Sequence, residues 1–171
     1  MEIIRDIKEV EAKILEDIKE CIRTIKSLTE DVENIDDGIK SLRDIRSIAY
    51  ENMNQIQHEH LVLRGTQWLR ENGYQDEKYE WSWNPRQTGD ASEPDLMAKD
   101  GQNTILCAEA TTSENPVGVI DSRMRDTLEK LSKMNGKKFY FVRTKQMELR
   151  AKSKITNNNW DINVVRIDLD A

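Results

Sequence analysis

The stretch 94-PDLMAKDGQNTILCAEATTS-113 decides how the chain is read. Asp95 follows a proline at the head of a short run, 95-DLMAK-99. The tetrapeptide 100-DGQN-103 carries the Asp-Gly chemistry of a tight turn, and 104-TILCAEAT-111 reads as a second strand. The two runs therefore form an antiparallel hairpin. Period-2 geometry puts Cys107, Glu109 and Thr111 on one face and Ala108 and Ala110 on the other. Antiparallel pairing can set Asp95, at the start of one strand, beside Glu109, near the end of the next. A charge inside an apolar strand is excluded unless it is paired or metal-bound, or sits at an end that points to solvent. A Mg²⁺ site for phosphodiester hydrolysis needs hard oxygen ligands with positions left for water and phosphate, and two carboxylates on one hairpin can supply them. On spacing alone, two solvent-facing acids remain the alternative.

Outward from the hairpin, the pattern is that of one α/β domain. The segment 57-QHEHLVLRGTQWLRENGY-74 reads as a helix with Leu61, Trp68 and Leu69 inward, stopped by Asn72-Gly73. The run 77-EKYEWSWN-84 alternates, with Tyr79, Trp81 and Trp83 on one face of a strand. A polar loop, 84-NPRQTGDASEP-94, leads into the hairpin. After it come a helix over about 117–136 with Val119, Ile120, Met124, Leu128 and Leu131 as its stripe, a buried strand 138-KFYFV-142, a basic helix over 144–154 and a last strand 162-INVVRIDL-169.

The first third has a different period. Residues 7, 14, 21, 28, 35, 42, 49 and 56, interleaved with 4, 11, 18, 25, 32, 39, 46 and 53, form a seven-residue repeat in which only Glu11 and Arg46 are polar. Such a strict heptad predicts a coiled coil over residues 1–56 that serves self-association, with residues 57–171 as the second domain. The repeat passes through 36-DDG-38 without a phase slip, which favours one continuous helix, about 80 Å long at ~1.5 Å per residue, over a hairpin turning there. Isoleucine at both core positions does not select two strands, so oligomer number stays open.

Composition narrows the class. Of the 171 residues 37% are apolar and 34% charged, which suits a chain with a long solvated helix. No apolar run reaches membrane-spanning length, and the charged start MEIIRDIKEVEAK is not a signal peptide, so a cytoplasmic protein with no membrane partner is expected. Cys21 and Cys107 lack zinc spacing and read as two buried thiols. The net charge of −6 is uneven. Residues 1–56 and 57–111 each carry a net −5, and 112–171 a net +4. The basic end includes 137-KKFYFVRTKQMELRAKSK-154, a stretch able to track a phosphate backbone.

Taken together, the order of elements, Pro94-Asp95, thirteen intervening residues and Glu109-Ala110-Thr111 resemble the PD-(D/E)XK nuclease superfamily, the restriction-endonuclease-like fold, over roughly residues 57–142. The resemblance implies a mixed sheet flanked by helices and a Mg²⁺-dependent (alternatively Mn²⁺-dependent) DNA endonuclease that hydrolyses phosphodiester bonds. It implies that Glu59 on the helix, Asp95, Glu109 and the Ala110 carbonyl hold the metal, and that Thr111 orients the attacking water. His58 and His60 read as surface or supporting residues rather than ligands. The family's lysine slot is Thr111, and threonine brings no positive charge. Three accounts stay open: a cation reaching in from the following helix (Lys130, Lys133 or Arg123, with Lys99 too far along its strand), a second metal, or an inactive site. DNA contacts are expected from Arg86, Gln87 and Thr88 of the polar loop and from Lys130 and Lys133. The competing reading is an inactive nuclease fold that binds nucleic acid or a protein partner.

Overall fold

The computed structural model describes residues 1–30, 32–75, 78–85 and 92–169. Its elements are β1 (Glu2–Ile4), α1 (Ile7–Ser27), α2 (Ile35–Glu71), β2 (Glu80–Trp83), β3 (Leu96–Asp100), β4 (Asn103–Thr111), α3 (Val119–Ser132), β5 (Lys137–Val142), α4 (Lys145–Asn158) and β6 (Asn163–Arg166). The six strands form one mixed sheet in sequence order. β1 to β4 pair antiparallel, and β4, β5 and β6 pair parallel.

The predicted hairpin is present. Leu96 pairs with Ala108 and Asp100 with Asn103, and Gly101 supplies the positive φ of 58° that the turn needs. Alternation sorts its residues between two cores. Leu96, Ala98, Leu106, Ala108 and Ala110 join Leu61, Leu69, Phe139 and Phe141 beneath α1 and α2. Cys107 joins Tyr140, Met124, Leu128, Leu131 and Met147 beneath α3 and α4. The result is three layers, helix pair on sheet on helix pair. α2 comes unusually close to the sheet at Gly65, where a Cβ would stand 2.7 Å from the Phe141 ring.

The first third departs from the expectation. The heptad helix is not continuous: it breaks between Ser27 and Ile35. The break falls before 36-DDG-38, which lies inside the first turns of α2. The cause is local. Asn34 caps α2 by accepting a hydrogen bond from the Asp37 backbone N–H at 3.0 Å, and its amide donates to the Asp37 carboxylate at 2.6 Å. Two acids in that first turn also suit the positive end of the helix. α1 consequently folds back on α2, which runs on from residue 35 through the helix expected at 57–71 to the stop at Asn72. The boundary expected at residue 56 falls inside α2, and β1, Val10 and Ile14 belong to the same sheet and core as the rest. Cys107 is buried as expected, and Cys21 is half-buried. Among the described residues, no helix is long and apolar enough to cross a membrane.

Candidate active site

β3 begins at Leu96, so Asp95 sits just past the strand's end. Leu96 pairs with Ala108, which leaves Ala110 two residues beyond the last β3–β4 pair. The Ala110 N–H that would continue the ladder is taken instead by Asp95 Oδ2, at 2.8 Å. A buried N–H must find an acceptor, and here the carboxylate serves. The N–H and C=O of one extended residue point to the same neighbouring strand, so the Ala110 carbonyl faces the Asp95 side too.

Glu109 lies on the opposite face, toward α3, and is only 5% exposed. Burial first, then the charge of Asp95, pushes its carboxyl up to about 8, against the pull of Lys130 and His58. Lys130, on α3, places its ammonium 2.6 Å from Glu109 Oε1. The same ammonium donates to the Glu93 carbonyl at 3.2 Å, which ties α3 to the residue before Pro94-Asp95. A cation carried by the following helix thus reaches the acid whose own strand offers Thr111. Lys133 does not reach it: it is exposed and pairs with Glu129 at 2.8 Å.

On the other side of the sheet, His58 of α2 is buried, with Nε2 3.1 Å from Asp95 Oδ2. Burial would lower its pKa. The hydrogen bond to Asp95 and the charges of Asp95, Glu109 and Glu59 outweigh burial and raise it. Asp95 Oδ2 is therefore held from two sides, by a ring nitrogen and a backbone amide. His58 was expected to be a surface or supporting residue, and it supports Asp95 from a buried position. The signal for it was its place one residue before Glu59 on a helix whose apolar stripe faces the sheet.

Glu59 is 1% exposed, yet its carboxylate turns to α1, where Lys13 lies 2.8 Å from Oε2. Lys13 also pairs with Asp17 and lies 5.5 Å from the centre of the Trp83 ring. The structure does not gather Glu59 with Asp95 and Glu109. Among the described residues, no three His, Cys, Asp or Glu side chains form a group that could hold a metal ion. Thr111 lines the cleft, as does Tyr140.

A cleft of ≈ 420 Å³ opens beside Glu109, walled by Ala110, Thr111, Ser113, Arg123, Asp126 and Thr127 among others. Arg123, the third cation considered, lines this cleft, while Lys130 and Lys133 line a neighbouring groove with Ser92 and Glu129. Arg86, Gln87 and Thr88 lie outside the described residues. Four of the seven cations of the basic stretch 137–154 are engaged by two carboxylates. Arg150 and Lys154 engage Asp121, and Lys145 and Lys152 engage Glu148. A phosphate backbone would have to compete with those two carboxylates.

The donor set suits a hard cation at one place. Two buried carboxylates, one raised to about 8 by burial and then by the other's charge, form a pair whose ionisation a divalent ion would favour. Asp95, Glu109 and the Ala110 carbonyl would be its ligands. Glu59 would join them only on release from Lys13. No family model matches this sequence, and neither a curated protein nor a solved structure matches it.

Proposed function

We propose that the protein is a Mg²⁺- or Mn²⁺-dependent endonuclease that hydrolyses phosphodiester bonds in DNA, with the restriction-endonuclease-like arrangement that the sequence resembles. The observation that supports this reading best is the Lys130 ammonium, 2.6 Å from Glu109 and bonded to the backbone just before Asp95. It puts a positive charge beside the acidic pair, the one component absent from 109-EAT-111. Asp95, Glu109 and the Ala110 carbonyl would hold the ion, which when bound polarises the phosphate and acidifies a water. His58 and the Ala110 N–H fix the Asp95 carboxylate. Lys130 offsets charge at the reacting phosphate, as a preorganised donor does where water is excluded. Arg123, on the wall of the same cleft, can take a phosphate oxygen, and Thr111 and Ser113 can hold water there.

The test is direct. Purified protein is incubated with circular duplex DNA, modified duplex, branched DNA and RNA, with Mg²⁺ or Mn²⁺. Glu109→Ala and Lys130→Met are assayed beside it. Cutting by the wild type that both variants lose is expected. Absence of cutting on every substrate, or cutting undiminished in Glu109→Ala, rejects the assignment.

A further inference from the structure

The helical hairpin carries an apolar face that its own chain does not cover. On α2, Ile35, Ile39, Leu42 and Met53 are exposed, Ile35 by 79% and Leu42 by 68%. Together with Arg46 and Ala49 they lie within roughly 40° of one line along the helix. Ser41, Ile45, Ile48 and Asn52, half-buried, lie about a third of a turn away, while Ala49 on the stripe is itself half-buried. α1 packs beside residues 56–67 of α2 through Glu11, Ile14, Leu15 and Ile18. The stripe runs into a groove of ≈ 290 Å³ between the two helices, walled by Ile14, Leu15, Ile18, Ile56 and Leu63. Leu15 and Ile22 extend the apolar surface onto α1.

Charge says what covers it. Glu33 and Asp36 lie on one side of Ile39 in sequence, Arg43 and Arg46 on the other. Among the described residues, none of these four has an ion-pair partner. Two copies of α2 laid antiparallel about a two-fold axis at Ile39 stack Ile39 on the partner's Ile39 and Ile35 on the partner's Leu42. The same axis brings Asp36 to the partner's Arg43, and the pair occurs twice. A parallel pairing would set like charges together. Residues 1–56 carry a net −5, which opposes nucleic acid or an anionic membrane as the occupant.

We infer that this face binds a second copy of the chain, antiparallel, with Ile39 at the two-fold axis. The inference does not depend on the nuclease reading.

The test is the mass of the full-length protein by sedimentation equilibrium across a wide concentration range. A dimer is expected. Leu42→Glu and Ile39→Glu, at exposed positions, should give folded monomers by circular dichroism. Asp36→Arg or Arg43→Asp alone should weaken the dimer about tenfold, and the two together should restore it. A wild-type monomer at every concentration overturns the inference. So does a dimer untouched by Leu42→Glu, or a double charge swap no tighter than the singles.

Discussion

Replacing Glu109 by glutamine removes a charge that the fold holds at a cost, and the size of that cost follows from the site. The Glu109 carboxyl, ordinarily at 4.5, is pushed up to about 8, first by burial and then by Asp95. The native state therefore keeps a proton that the unfolded chain releases above its ordinary value. Stability falls as pH rises from 4.5 toward about 8, and falls no further from this group beyond it. At ~1.4 kcal/mol for each pH unit, the whole interval is worth up to about 5 kcal/mol. Part of that is lost in the variant, because the His58 cation no longer has the Glu109 charge to favour it. Glu109→Gln should thus match the wild type at about pH 5 and exceed it by about 2–4 kcal/mol at about pH 8.5. His58, with its pKa raised, gives a slope of the same sign that survives in the variant. Urea unfolding followed by circular dichroism at the two pH values measures the difference. Mg²⁺ should recover stability in the wild type at the higher pH and not in the variant. Parallel pH profiles for the two proteins would refute the argument, as would a variant weaker than the wild type at both.

Three further outcomes are expected. Lys130→Met should lower the cleavage rate about 100-fold and move its pH optimum upward, because Glu109 loses the cation that favours its charge, while Lys130→Arg keeps part of the rate; a wild-type rate in Lys130→Met removes the lysine from the mechanism. His58→Ala frees one of the two groups that hold Asp95 Oδ2, so Mn²⁺ affinity, read by titration calorimetry, should drop about tenfold with the fold intact; unaltered affinity means that Ala110 alone suffices. Gly65→Ala drives a methyl into the Phe141 ring, 2.7 Å away, and should cost about 1–3 kcal/mol despite alanine's better helix propensity; an unchanged melting temperature would show that α2 can lift off the sheet freely.

The hairpin around Asp95 and Glu109 was readable because turn chemistry and period-2 alternation are local, and both survive in the structure from Leu96 to Thr111. The helix from 57 to its stop at Asn72-Gly73 was readable for the same reason. The break at residues 28–34 was not read, although its signal was local too: Asn34 and Asp37 stand at capping-box spacing. The heptad hid it, since α1 and α2 each keep an apolar stripe and happen to share a phase. Three-residue β1 had no signal of its own, because its strand character comes from pairing with Trp81 and Trp83 across the sheet edge. Lys13 beside Glu59 was unreadable for a related reason. Forty-six residues separate them, and only the fold-back of α1 brings them within 2.8 Å.

On the proposed reading, position 111 is where sequence spacing and chemistry part. A strand motif fixes the place of a side chain along one strand, but electrostatic stabilisation depends only on where the charge ends up. β4 and β5 are parallel neighbours, so the chain between them must cross over the sheet, and it does so as α3. Met124, Leu128 and Leu131 hold that helix on the face where Glu109 emerges. Lys130 sits between Leu128 and Leu131, at the edge of that buried stripe, with a stem long enough to bring its ammonium to the carboxylate. Any residue at position 111 that leaves this helix seated is compatible with a charge at Glu109. On the proposed reading, the acid-x-threonine sequence goes with a cation supplied from α3, where Lys130 stands 2.6 Å from Glu109.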